Sequence, residues 1–421
     1  MSQLRIAQSI ANLDAWLETM RQPGGYAGPV AHWWQNRFQY AGPGLDWRYE
    51  GILIGYTALF EKTRNPIWCH RVEKAALDLM NGQLKDGNYR ASRFEMNPDR
   101  LGTPHEAAAT LGLLTALPLL GEKERALDTA KRNVDNLIDK LWDGEGFNDV
   151  SGIAGRVPNK LATLAHALLL LAQASTDERY LSYADSALED VLRYQEESGR
   201  LRGAVHQYAP NRGNGDGRFF PYYNARCIPP LVIAAELLDR PSYLETARDI
   251  LGFIKMTMHE DGSWPQVLYG NGARAKWPRW VAGVADILLA YEYLAEPIPE
   301  VAFTRLLEHQ LPTGGFPTAA GFGAQIGQGL AQSTPDYRDV VPVVGWNDKA
   351  LRLLSKLLPD GFPLPEAANA DADVSIKVGT TRAVFQETAT EVTIRSEDQS
   401  IYQWHKLEPW ARAANERVNV R

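Results

Sequence analysis

The sequence predicts an all-α fold, a closed two-layer toroid of six helical hairpins with a small β appendage at the C-terminal end. Three observations carry this reading. A short turn pairing glycine with a bulky apolar residue recurs six times. The helical stretches between turns alternate between nearly all-apolar and amphipathic. From Pro359 the composition shifts to a Pro/Ala/Asp stretch and then to short β-rich runs.

The turns are Gly24-Gly25-Tyr26, Asp86-Gly87-Asn88-Tyr89, Gly144-Glu145-Gly146-Phe147, Ser198-Gly199-Arg200-Leu201, Asp261-Gly262-Ser263-Trp264 and Thr313-Gly314-Gly315-Phe316. Counted on Gly24, Gly87, Gly146, Gly199, Gly262 and Gly314, they step by 63, 59, 53, 63 and 52 residues, one per hairpin. Gln83, Gln195 and Gln310 each stand four residues before the glycine. The expected geometry is an outer helix terminated by a left-handed glycine, then a ring that packs back on the barrel end. Stretches that are apolar on nearly all sides must be inner helices, placed near 46–62, 104–120, 159–174, 222–238, 279–294 and 340–357. Amphipathic partners belong outside, near 66–82, 123–140, 178–195, 242–257 and 299–310, with 4–20 closing the ring. Pro104, Pro158, Pro221 and Pro278 fall at inner-helix starts, where a missing N–H costs nothing. The domain reading is a toroid over 1–358, a linker over 359–373 and a β-rich appendage over 374–421.

Composition narrows the function. The 421 residues are 45% hydrophobic and 23% charged, the balance of a globular chain with a large core. A net charge of -7 argues against nucleic acid as the partner, because phosphate binding needs a basic field. Cys69 and Cys227 stand alone, so neither a disulfide framework nor a thiolate zinc site is expected. No HExxH, EF-hand or strand-to-helix GxGxxG pattern occurs, so no metal and no cofactor is expected. The first 22 residues lack a signal peptide's apolar core, and the longest apolar run, 161–174, is too short to span a bilayer. The expectation is a cytoplasmic protein with no membrane partner, its oligomeric state left open.

The repeat resembles the (α/α)6 toroid superfamily, which includes six-hairpin glycosidases, polysaccharide lyases, a uronyl C5-epimerase domain and terpenoid cyclases. The strings QLKDGNY and QLPTGGF resemble the QW repeats of the terpenoid cyclases. The resemblance covers about residues 4–358 and implies the fold; one fold hosts unrelated reactions.

In such a toroid the loops that lead into the inner helices gather at one end, where helix N-termini offer unpaired N–H groups. The residues at these entrances are rich in rings and cations. They include Trp34, Arg37, Asp46, Trp47, Arg48 and Glu50 at the first, and Arg93, His105 and Glu106 at the second. Lys160 marks the third; His206, Tyr222, Tyr223, Asn224 and Arg226 mark the fourth. Trp264, Trp277, Arg279 and Trp280 belong to the fifth and Trp346 to the sixth. Ring faces stack on sugars and arginine forks pair with carboxylates, so the expected partner is an anionic carbohydrate.

Three mechanisms fit these residues. Glycoside hydrolysis needs two carboxylates, for which Asp46, Glu50, Glu106 and Asp348 are available. β-Elimination of a uronate needs a base, an acid and a group to neutralise the carboxylate, which Tyr222, Tyr223, His105, His206, Asn224 and Arg226 supply. The same set serves a C5-epimerase. The leading expectation is cleavage of a glycosidic bond in a uronate-containing saccharide, with Asp46, Glu50, His105, Glu106, Tyr222 and Tyr223 as catalytic residues. A terpenoid-cyclase-like enzyme is disfavoured by the lack of a DxDD motif, and a non-catalytic sugar-binding toroid is the remaining alternative.

Overall fold

In the computed structural model the described residues are 2–30, 39–92, 101–275, 277–321, 337–378, 381–396 and 401–406. Thirteen helices are named in chain order among them. They are α1 (Gln3–Thr19), α2 (Arg48–Thr63), α3 (Pro66–Gly82), α4 (Ala107–Ala116), α5 (Lys123–Leu141), α6 (Pro158–Ser175) and α7 (Arg179–Arg193). The series continues with α8 (Pro221–Ala225), α9 (Ile228–Leu237), α10 (Pro241–Thr257), α11 (Val284–Tyr293), α12 (Glu300–Glu308) and α13 (Val344–Leu357).

Burial follows the hydropathy pattern. Helix α6 buries residues on all its sides, including Leu161, Leu164, Leu168 and Leu171, whereas α5 buries the stripe Ala126, Ala130, Val134, Leu137 and Ile138 and leaves its charged side out. The inner helices touch one another round a ring: α2 on α4, α4 on α6, α6 on α9, α8 and α9 on α11, α11 on α13, and α13 back on α2. Helices α3, α5, α7, α10 and α12 each back the inner helix before them, and α1 backs α13, which closes the second layer. Among the described residues no helix is long and apolar enough to cross a membrane.

The repeated turns lock the outer layer. Gln83 Nε2 donates to the Gly87 carbonyl at 3.0 Å and to the Thr129 carbonyl of α5 at 2.7 Å. Gln310 Nε2 does the same to Gly314 (2.8 Å) and to Ser9 of α1 (3.0 Å). Each glutamine therefore ties its own turn to the next outer helix, and Gln310 ties the last turn to the first helix. Gly87 and Gly314 stand at φ 90° and 97°, and a Cβ on either would fall on a main-chain oxygen of that next helix, Arg132 or Asn12.

Several boundaries depart from the sequence expectation. The turn glycines do not cap the helices, which end three to six residues earlier; they close small hairpins such as the Gln83–Tyr89 bridge. In the fourth turn the equivalent glycine is Gly203, not Gly199. Residues Gly199–Leu201 form a 3-10 turn, and Gln195 Nε2 donates to the Gly203 and Thr246 carbonyls at 3.3 and 3.2 Å. The fourth inner helix is split into α8 and α9, because Pro229 and Pro230 can be housed only in the first turn of a new helix. At the fifth entrance, residues 279–280 are extended and pair with 319–320, so α11 starts at Val284 and Pro278 lies before a strand.

Beyond α13 the chain runs without helix or strand to a four-stranded antiparallel sheet, 372–378, 381–387, 391–396 and 401–405, paired in sequence order. This segment lies along α1. Glu387, buried, accepts from Trp16 Nε1 at 2.9 Å and Thr313 Oγ1 at 2.7 Å and pairs with buried Lys406 at 2.9 Å.

Candidate active site

Inside the ring, four inner helices each point one charged side chain at the axis. Arg226, in the break between α8 and α9, donates to Glu50 of α2 through Nη1 (2.9 Å) and Nη2 (2.7 Å), and through Nη1 to Asp286 of α11 (3.2 Å). Arg352 of α13 donates one nitrogen to Glu50 and the other to Asp286. Thr163 of α6 accepts from Arg226 Nη2 at 3.2 Å. The result is an alternating buried ring of two carboxylates and two guanidiniums, in which each charge is compensated, as burial demands. Burial by itself would raise the Glu50 pKa, but Arg226, Arg352 and Lys349 outweigh it and hold the carboxyl well below its usual range. Asp286 is lowered in the same way, by Arg352 first and then Arg226. Beneath the ring, a cavity of a size to hold about one water is lined by Glu50, Thr163, His166, Arg226, Asp286 and Arg352. His166 is pushed down to about 4 by burial.

Nearer the helix N-termini stands His105, half-buried in the 3-10 turn that opens α4. Its ring lies 5.5 Å from that of Trp47. Burial and then the Arg226 charge hold its pKa well below the ordinary histidine value, so the imidazole is neutral at neutral pH. Across the mouth Tyr222, Trp280 and Trp346 pack on one another with centroids 5.1 to 5.3 Å apart, and Tyr223 leans on Tyr222 at 5.3 Å. Tyr223 is half-buried whereas the other three rings are buried. Asp348 of α13 accepts from the Gly51 N–H of α2 at 3.1 Å and from Lys349 Nζ at 2.9 and 3.0 Å; burial pushes it up to about 7.

Glu50, His105, Tyr222, Tyr223, Arg226, Trp280 and Trp346 thus gather around one axis, with Glu106 buried beside His105. Other expected site residues have different work. Asp46 accepts from Nε and Nη2 of Arg48 (2.7 and 2.8 Å), whose Nη1 donates to the Tyr26 carbonyl. Asn224 clamps the Val205 N–H and C=O at 2.6 and 3.0 Å, pinning the fourth turn to its inner helix. Trp264 is wholly buried and donates to the Ile254 carbonyl, so it is core and not a sugar platform. Arg279 is engaged by Asp261 and Ser263 and lies over the Trp277 ring at 4.3 Å. Lys160 pairs with Asp149 at 2.7 Å, and His206 bridges Glu196 and the Gly217 N–H. Trp34, Arg37 and Arg93 lie outside the described residues.

Asp286, Arg352 and Lys349 were not marked by the sequence reading. Their signal is present: Asp286 is the one acid in the apolar first half of an inner helix, and Lys349 and Arg352 lie three apart in another. Among the described residues no group of three or more His, Cys, Asp or Glu is arranged to hold a metal ion.

No family model matches the sequence, and no curated protein does. Solved structures do match. A D-mannose isomerase has a TM-score of 0.63 at 15% identity, over 85% of this chain and 98% of its own. The cellobiose 2-epimerase of Spirochaeta thermophila has 0.61 at 16% identity, over 84% and 96%. The unsaturated glucuronyl hydrolase of a Bacillus species has 0.61 at 14% identity, over 85% and 97%. The chain has the (α/α)6 toroid fold. At these identities the likeness establishes the fold alone, and the reaction must be argued from the side chains.

Proposed function

We propose that the protein is a carbohydrate-active enzyme that works by proton transfer at carbon, with His105 as the base, in sugar epimerisation, isomerisation or β-elimination. The observation that carries this reading is the contrast between a neutral, half-buried His105 at the mouth and the two axial carboxylates, Glu50 and Asp286, which are locked by arginine. Hydrolysis needs one protonated carboxyl facing a second, ionised one. Glu50 and Asp286 are both held ionised by Arg226 and Arg352. Asp348 has the raised pKa of an acid catalyst but is fully buried and occupied by Gly51 and Lys349.

The charge balance bears on the substrate. Arg226, Arg352, Lys349 and Lys160 each already face a carboxylate of the protein. A reducing sugar, whose proton at the carbon beside the carbonyl is acidified without any net charge, suits this site better than a uronate. Two of the structural neighbours are named as an isomerase and an epimerase, which supports the same chemistry. We give the Tyr223 hydroxyl, on a half-buried ring beside Tyr222, the role of returning the proton or orienting the sugar oxygen.

The test is a panel of free aldoses, reducing disaccharides and uronate oligosaccharides incubated with the wild type, His105→Gln and Tyr223→Phe. Replacing the base should lower turnover by at least about 100-fold, with the thermal midpoint moved by no more than about two degrees. A His105→Gln enzyme with full activity would overturn the assignment.

A further inference from the structure

Trp47 stands at the N-cap of α2, and the chain is locked on both sides of it. The Arg48 N–H donates to Asp46 Oδ1 at 3.1 Å, and the two side chains, both buried, are joined through Nε and Nη2 of the guanidinium. Arg48 Nη1 fastens this clasp to the Tyr26 carbonyl at 3.0 Å. Two-point pairing of arginine with a carboxylate defines geometry as well as adding energy. The main chain from which the Trp47 side chain leaves is therefore fixed, and the place of the indole is set by what its ring meets.

Two neighbours bear on that ring. Its centroid lies 5.5 Å from that of His105, with the planes tilted by 52°. Its Nε1 edge lies against Gly345, the second residue of α13. A Cβ on Gly345 would come within 2.6 Å of Nε1, 3.3 Å of Cδ1 and 3.6 Å of Cε2, so its three nearest neighbours would all be indole atoms. The glycines of α2 that face α13 differ. A Cβ on Gly51 would strike the Asp348 carbonyl, and one on Gly55 the Leu351 side chain and the Arg352 main chain. Those two serve the approach of one helix to another, whereas the missing side chain of Gly345 makes room for the indole. Its backbone is ordinary helix, which favours Ala over Gly.

We propose that Trp47 is a positioning residue: held by the Asp46–Arg48 clasp and admitted by Gly345, its indole fixes the His105 imidazole for proton transfer. The idea rests on the reading of His105 as the base. His105 sits half-buried in a 3-10 turn of three residues, where a ring can swing about its side-chain torsions unless a rigid neighbour stops it. A base must hold its nitrogen within hydrogen-bond reach of the proton it removes, and a displacement of about 1 Å can cost about 100-fold in rate. Asp46 and Arg48 then act at one remove from the sugar, and Trp47 acts on the base instead of serving as a sugar platform.

The test uses Gly345→Ala, Trp47→Leu and the double variant Gly345→Ala/Trp47→Phe in the full chain. One readout is the His105 ring-proton signals by NMR, assigned by their loss in His105→Gln. The other is kcat and KM on the sugar of the panel that the wild type turns over. Gly345→Ala and Trp47→Leu should each move the His105 signals and lower kcat by at least about 10-fold with KM little changed. The double variant, whose smaller ring clears the added methyl, should recover part of the kcat lost in Gly345→Ala; a merely structural fault would deepen when a second side chain is truncated. Gly345→Ala adds one carbon to a helical position and remains readable even where Trp47→Leu fails to fold. Unmoved His105 signals in Gly345→Ala overturn the proposal, as does an unchanged kcat in an enzyme that His105→Gln inactivates. A raised KM with kcat retained would make Trp47 a sugar contact and overturns it too. The NMR readout is independent of turnover: signals that move in an enzyme that survives His105→Gln would leave the hold of Trp47 on His105 standing and remove the assignment of His105 as the base.

Discussion

His105 is neutral because burial strips water from its imidazolium and Arg226 repels the charge that remains. The sign of its pH dependence follows. A base with a depressed pKa keeps its proton off at neutral pH, so kcat/KM should be flat downward from about pH 7.5 past the ordinary histidine value of about 6.5. The rate should fall only at lower pH, and a pH–rate profile with an acid limb centred at or above 6.5 would contradict this. His166 makes a matching prediction for stability. Its folded pKa is about 4 against an ordinary 6.5, so the unfolded chain binds more protons between those values and stability is lost as pH falls through that window. The loss is up to about 3 kcal/mol. Denaturant unfolding at pH 7 and pH 4.5 should show His166→Leu losing less stability on acidification than the wild type. At this scale the sequence exposed His105, Glu50 and Arg226 because each stands at a helix entrance. It hid Asp286 and Arg352, because each gains its meaning from a partner on another inner helix.

Among the elements, the turns were legible as a period and partly misread as a device. Gly87, Gly203, Gly262 and Gly314 serve close approach between neighbouring outer helices, a relation invisible within one repeat. A direct contrast tests this. Gly144 has φ 99° with open space around it, whereas Gly314 has φ 97° and faces the Asn12 carbonyl. Gly144→Ala should cost about 1 kcal/mol for its backbone conformation alone. Gly314→Ala should cost about 1 to 3 kcal/mol more, since main chain must move. Equal costs in urea unfolding would contradict the role given to the turn. The fourth turn shows why the spacing misled: Gly199 and Gly203 both have positive φ, and it takes the Gln195 hydrogen bonds and the close approach to the Asp249 carbonyl of α10 to single out Gly203. The split of α8 from α9 was written in Pro229-Pro230, but a proline pair inside an apolar run reads equally well as a kink.

Across the whole molecule, the ring is closed twice. Helix α1 backs α13, and Gln310 reaches Ser9. The C-terminal segment then straps that seam, with Glu387 joining α1, the sixth turn and Lys406. Glu387→Ala would leave the Lys406 ammonium buried without its carboxylate, at a cost of about 3 to 5 kcal/mol. Calorimetry should show a lowered midpoint, and an unchanged one would mean that the strap adds nothing to the seam. The toroid was legible because its period repeats six times, whereas the docking of the strap depends on single residues far apart in the chain. The chemistry is the least legible level, because arginines that look like substrate forks are taken by carboxylates of the protein itself. One measurement reaches that level most directly: the wild type is run in D2O on the sugar panel and the carbon-bound hydrogens are followed by NMR. The account predicts that the hydrogen beside the carbonyl or carboxylate is lost or replaced by deuterium; new reducing ends with every carbon-bound hydrogen retained would contradict it.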